Sequence, residues 1–92
     1  GFYDVGGAGS ATEAGETSLG GRQPVNPGGG LVGRGHPPSA TGVLQIVELY
    51  EQLTGLGGDR QVPDATIAFA ENQGGLSGYA DAAGLAMHVL RI

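Results

Sequence analysis

The chain has 92 residues, 20 of them glycine, and is 39% hydrophobic but only 5% aromatic. Ordering each residue costs roughly 1–2 kcal/mol and glycine costs more than most, so a chain this lean in large apolar side chains buries too little to stand on a rich core of its own. A net charge of -5, with four arginines and no lysine, leaves no basic face for nucleic acid or an anionic membrane surface.

The chain has no cysteine, so disulfides, thiolate metal sites and thiol chemistry must all come from elsewhere. His36 and His88 are too few for a metal site without carboxylates at a recognisable spacing, and no metal is expected. The longest apolar run is broken within a few residues, which gives neither a signal peptide nor a spanning helix. These features read as a soluble, cytoplasmic chain of at most one domain, and as a piece that completes a larger body.

Residues 1–35 hold twelve of the twenty glycines, with Pro24 and Pro27 among them, and show no period of 2 or 3.6. They are predicted as an irregular glycine-rich segment leading into the loop around His36. From Ser39 the pattern changes. Val43, Ile46, Val47, Tyr50 and Leu53 recur at helical spacing, with Leu44 and Leu49 widening the stripe, and this predicts a helix with that face buried. Ser39 or Thr41 suits its N-cap, and Gly55, Gly57 and Gly58 suit its end. After a polar loop with Asp59, Arg60 and Pro63, "ATIAFAEN" reads as a strand with Ile67 and Phe69 large and alanines on the second face, which suggests burial there too. "NQGGLSGY" is predicted as a glycine loop, and "AAGLAMHVLRI" as a closing strand with Leu85, Met87 and Val89 on one face. Residues 36–92 thus run helix, strand, loop, strand. One helix and two strands leave sheet edges and faces that a partner must cover.

The glycine loops fail as phosphate sites. Gly28 and Gly33 have P-loop spacing, but Arg34 and Gly35 stand where Lys and Ser or Thr are needed. In "GRGHPP", Pro38 occupies the place of the third glycine of a dinucleotide fingerprint. His36 is the sharper signal. Pro37 fixes its own backbone angle and restrains His36 toward an extended conformation, and the N-terminus of the following helix brings positive potential and free N–H groups close by. An imidazole placed there could donate to a developing oxyanion or take a proton from a thiol. Taken alone, a loop histidine is more often a solvent-facing or structurally satisfied residue. His88, between Met87 and Val89, reads as structural.

The string "NPGGG", five residues, "HP", two residues, "ATG", five residues, Glu48, then Gln52, Leu53 and Gly55 resembles the carboxy-terminal part of thiolases, and most of all the sterol-carrier-protein and lipid-transfer-protein types. The likeness runs from about Gly15 to Ile92, and its specific block is Asn26 to Gly55. It implies an α/β fold in which two similar halves, each a mixed five-stranded sheet with helices, stack as a five-layer αβαβα sandwich and dimerise, with this chain ending the second half. It also implies an acyltransferase of the acetyl-CoA acetyltransferase class, with a coenzyme A thioester as substrate and no covalently bound cofactor. In such enzymes the histidine at the place of His36 activates a cysteine and binds the thioester oxygen. That cysteine lies in the first half, so the remainder of the thiolase or a complementary subunit must supply it.

By the same resemblance Gly35, Pro37 and Ser39 line the coenzyme A path, and Gly74 N–H serves a second oxyanion hole. Many thiolases carry a proton-shuttling cysteine where this chain has Asn72, and asparagine cannot do that work; the sterol-carrier-type branch also has Asn-x-Gly there. Without the resemblance, Asn72 to Gly75 reads equally well as an ordinary turn between strands. The family's "HPxGATG" is "HPPSATG" here. If the glycine replaced by Ser39 has a positive φ or touches substrate, the serine is strained or reshapes the acyl pocket; otherwise it caps the helix. Tyr79 is the other candidate proton donor, because lipid-transfer relatives include retro-aldolases that cleave steroid-CoA side chains with tyrosines and an OB-fold or zinc-ribbon partner protein. A loop tyrosine is otherwise usually packing or surface. A non-catalytic small subunit, or a fragment completing a thiolase-like assembly, is the remaining alternative.

Overall fold

A computed structural model describes residues 1–75 and 84–92. Among the described residues are three helices, a 3₁₀ turn and a two-stranded antiparallel sheet: α1 (Ala8–Glu13), α2 (Gly30–Arg34), α3 (Thr41–Thr54), the 3₁₀ turn Gly58–Arg60, β1 (Ile67–Gly74) and β2 (Gly84–Arg91). The α/β class and the order helix, strand, strand after residue 36 are as the sequence predicts. None of the described helices is long and apolar enough to cross a membrane.

The expectation of coil throughout residues 1–35 is corrected by two short helices. In α1, Ser10 and Thr12 turn their hydroxyls back to the carbonyls of Gly7 and Ala8 at 3.0 and 2.9 Å, and Ala11 is buried. Gly15, at φ +81, reverses the chain after it. The following segment folds back with Arg22 bonded to Glu16 and its guanidinium 5.3 Å from the Tyr3 ring centroid. Helix α2 is a single turn in "GGGLVGRG", too short for a periodicity argument to detect.

Helix α3 has the predicted place and the predicted end, with Gly55 as a left-handed C-cap at φ +76. Its buried face is not the predicted one. Val43 and Tyr50 are 64% and 58% exposed, whereas the buried residues of the helix are Thr41, Glu48 and Gln52. The N-cap reading is also corrected: Ala40 holds that position without a side-chain cap, and neither Ser39 nor Thr41 takes the role.

In the sheet, Ile67 pairs with Arg91, Phe69 with Val89, Glu71 with Met87 and Gln73 with Leu85. Residues directly opposite share a face, so Ile67, Phe69, Leu85, Met87 and Val89 form one apolar face. It is exposed, and the ring of Phe2 packs edge-on against Phe69 at 5.8 Å. The alanine face is the covered one: Ala70 is buried and α3 packs against it. The strand also runs further than predicted, because Asn72, Gln73 and Gly74 pair with Ala86, Leu85 and Gly84 instead of opening the loop.

Candidate active site

Four polar residues of α3, Thr41, Gln45, Glu48 and Gln52, lie at positions i, i+4, i+7 and i+11, and so on one face of the helix. Each binds a different part of the chain. Thr41 holds the His36 loop. Gln45 Nε2 donates to the Glu71 carbonyl in β1 at 2.9 Å. Glu48, 5% exposed, accepts from Arg60 Nη1 at 2.6 and 2.5 Å, from Arg34 Nη1 at 3.3 Å and from Gln52 Nε2 at 3.1 Å. Gln52 Nε2 also donates to the Arg60 carbonyl at 2.8 Å, and its Oε1 accepts from the Val62 amide at 2.7 Å. Buried polar groups must be paired, and this stripe meets the requirement by satisfying loop backbone on both sides of the helix. Hydrogen bonding to Glu48, reinforced by its charge, holds the Arg60 guanidinium above its usual pKa.

His36 lies exposed at the N-terminal end of this face, with Nδ1 2.7 Å from Thr41 Oγ1. Thr41 Oγ1 is also 3.3 Å from the Pro37 carbonyl. The hydroxyl has one proton, and its direction decides the chemistry of the ring. Donated to Pro37, it leaves Thr41 to accept from Nδ1–H, and Nε2 is then a proton acceptor. Turned to Nδ1, it makes Nε2–H a donor. The hydroxyl direction thus goes with the tautomer: Nε2 is a base when the ring proton sits on Nδ1 and an oxyanion donor when that proton has moved to Nε2. Gly35, at φ +78 and ψ -179, admits a backbone path just before the ring that a side chain would strain.

Ser39 takes the strained alternative, with φ +69. The left-handed region costs a non-glycine residue roughly 1–2 kcal/mol, while glycine returns roughly 0.4–1 kcal/mol of that to the unfolded chain. Ser39→Gly is expected to stabilise the complete protein by the difference, about 0.5–1 kcal/mol. Urea unfolding checks this, and an unchanged or lower midpoint contradicts it. The other non-glycine residues with positive φ among the described residues, Asn26 and Asp64, are of types that tolerate it.

The strand side of the site meets the helix at the same end. A Cβ on Gly42 would stand 3.6 Å from Asn72 Cγ, so the asparagine lies against the first turn of α3, one residue from Thr41. Gln45 fixes the adjoining Glu71 carbonyl one turn along. Thus α3 brings His36, through Thr41, and Asn72, through Gly42, to one end. Gly74 follows two residues after Asn72 in β1. Pro37 accepts the amides of Ala40 and Thr41 at 3.1 and 3.2 Å, which sets the turn into the helix. Tyr79 lies outside the described residues. His88 sits opposite Ala70 in β2 and is exposed.

A separate apolar depression of about 340 Å³, lined by Tyr50, Leu53, Thr54, Leu90, Arg91 and Ile92, lies at the other end of α3. At 1.5 Å per residue it begins roughly 14 Å along the axis from Thr41, so it is not the place of the histidine chemistry. Sequence reasoning gave Gln45, Arg34 and Arg60 no place in the site, and it named Thr41 and Gln52 as members of the family-resembling string, with Thr41 also as a cap, without their contacts. The signal that could have found the helix residues is the T-x₃-Q-x₂-E-x₃-Q spacing.

A glycine-rich loop thus presents a histidine to the start of a helix that packs on two antiparallel strands. The profile described as Thiolase C-terminal domain-like matches residues 1–85, and the chain belongs to that family. It is 49% identical over 80 residues to an acetyl-CoA acetyltransferase of Methanothermobacter thermautotrophicus, covering 87% of this chain and 21% of that protein. It is 45% identical over 74 residues to the sterol carrier protein 2 of Bos taurus, covering 80% of this chain and 14% of that protein. With the non-specific lipid-transfer protein-like 2 of Caenorhabditis elegans it shares 43% over 74 residues, 80% of this chain and 18% of that protein. The chain thus spans about a fifth or less of the length of these relatives. No solved structure matches it.

Proposed function

We propose that the chain forms the closing part of a thiolase-like acyl-CoA acyltransferase, making or breaking a carbon–carbon bond next to a coenzyme A thioester. The observation that carries this reading is the pairing of His36 Nδ1 with Thr41 Oγ1 at 2.7 Å, beside the Asn72 side chain, at one end of α3. It leaves Nε2 free to take a proton from a thiol or to donate to a thioester oxygen that gains charge. The thiol comes from polypeptide outside this sequence, which has no cysteine. Gly74 N–H is the second donor proposed. The exposed apolar faces of α3 and of the sheet fit a body completed by further thiolase polypeptide, and the same reading makes the whole a dimer. Gly35, Pro37 and Ser39 are the proposed neighbours of the coenzyme A path.

Thr41→Val keeps the shape of the side chain and removes the hydroxyl. A freed ring that strays by about 1 Å loses up to about 100-fold in rate, so this variant of the complete protein is expected to lose about 10- to 100-fold in kcat with little change in KM. Steady-state kinetics on acyl-CoA substrates reads the split. Wild-type kcat in Thr41→Val would remove the threonine from the mechanism.

A second reading, retro-aldol cleavage of a coenzyme A ester with an OB-fold or zinc-ribbon partner protein and Tyr79 as proton donor, needs no thiol and accommodates Asn72, as sterol-carrier-type thiolysis also does. Alkylating the thiols of the complete protein separates the two: thiolysis stops, whereas aldol cleavage continues. A chain that only completes an assembly, without chemistry of its own, would leave turnover indifferent to His36.

A further inference from the structure

We infer that Glu48 is a positioning residue for His36, acting through Arg34 and the turn at Gly28. The inference rests on the catalytic reading of His36 and extends it to a carboxylate that touches neither substrate nor ring. Helix α2 ends at Arg34, two residues before His36, and it is one turn long with no buried side chain. Single turns of this kind are marginal alone. Amide bonds from Gly33 to Gly29 and from Gly35 to Leu31, at 2.9 and 2.8 Å, close its two ends. What ties it to the helix that holds the ring is Arg34 Nη1 on the Glu48 carboxylate at 3.3 Å.

The other end of the turn meets the same carboxylate. A Cβ on Gly28 would stand 2.6 Å from Glu48 Oε2 and 2.9 Å from its Cδ. The "PGGG" turn therefore lies directly on the Glu48–Arg60 pair, and Gly28 is bare because that pair fills the space. His36 is thus held from two directions by one helix face: the ring by Thr41, and the backbone leading to it by Glu48, seven residues on and buried on the same face. Arg60, bonded to Glu48 through both oxygens and to Glu51 through Nη2 at 3.4 Å, fixes the carboxylate from the opposite loop. Two of the four arginines of the chain converge on this one group.

The test uses the complete protein with Arg34→Ala, Arg34→Lys, Glu48→Gln and His36→Ala, and two readouts: the kcat and KM for acyl-CoA turnover, and the ring resonances of ¹³C-labelled histidine, His36 being assigned by its loss in His36→Ala. Arg34→Ala and Glu48→Gln are expected to lower kcat by about 10-fold with KM within about twofold, as misplacement of a reacting group does, and to shift the His36 resonance while His88 stays. Arg34→Lys, which keeps the cation, is expected to recover part of the loss. If His36→Ala abolishes turnover while Arg34→Ala and Glu48→Gln leave kcat and the resonance at wild-type values, this inference fails and the catalytic reading stands. If His36→Ala keeps full turnover, the catalytic reading fails, and the resonance alone decides whether Glu48 sets the ring's place. Should Glu48→Gln not fold, Arg34→Ala carries the test, since its side chain lies at the rim of the cluster.

Discussion

His36→Ala in the complete protein is expected to lower kcat/KM for acyl-CoA turnover by about 10²- to 10⁴-fold, the range of a positioned acid–base group or oxyanion donor. Its melting temperature is expected to hold, because the ring is exposed and Thr41, which pairs with it, keeps the Pro37 carbonyl within reach. The two roles of Nε2 separate on substitution by glutamine. A glutamine amide can donate to an oxyanion but cannot take a proton from a thiol, so His36→Gln recovers part of the loss if donation dominates and none if proton abstraction does. Both variants can be measured by coupled assay of coenzyme A release, with folding checked by thermal unfolding. Full turnover in His36→Ala would leave the chain as a structural component.

The helix α3 and both strands were legible from period, glycine and alanine placement, because those signals are local. The choice of face was not. Val43, Val47 and Tyr50 satisfy every pattern rule for a core, yet the buried residues of α3 are polar. Apolar periodicity reports what water should not touch in the finished body, and in this chain the same face is left open, as are Ile67, Phe69, Leu85 and Met87 on the sheet. Polar burial follows a different rule, that loop amides and carbonyls near a helix need partners. The glutamines and Glu48 provide them, and no hydrophobicity scale registers that.

At the site, the histidine, the Asn72–Gly74 segment, Thr41 and Glu48 were visible as motif members, whereas the contacts by which the last two act were not. Thr41 could be read as a cap from its position, but it is the ring 2.7 Å away that uses its hydroxyl. Arg34 lies in a segment that reads as coil, and its link to Glu48 spans fourteen residues, so no local rule could pair them. Ser39 is the opposite case: the question of a positive φ was put by the sequence, and the backbone answers it at +69.

Glycine at position 28 admits a sharper test than deletion of the carboxylate alone. Glu48→Ala strands no buried charge, since the side chains of Arg34 and Arg60 are 32% and 44% exposed and regain water. Its expected cost is therefore that of losing hydrogen bonds to a charged group, about 1.5–3 kcal/mol. Gly28→Ala attacks the same contact from the turn. Its φ is not in the left-handed region, so the backbone accepts alanine, and the penalty comes from a methyl placed 2.6 Å from Glu48 Oε2, which Arg34 and Arg60 both pin. Overpacking of this kind costs about 1–3 kcal/mol. In the Glu48→Ala background the oxygen and its Cδ are gone, and the remaining neighbour, Arg60 Nη1 at 3.1 Å, is the far end of a flexible side chain. The second substitution should then cost about zero, giving a coupling of about 1–3 kcal/mol between residues twenty positions apart in sequence. Urea unfolding of the four proteins of this cycle measures it. Additive penalties would mean that the turn does not rest on Glu48, and that the glycine is required there for another reason.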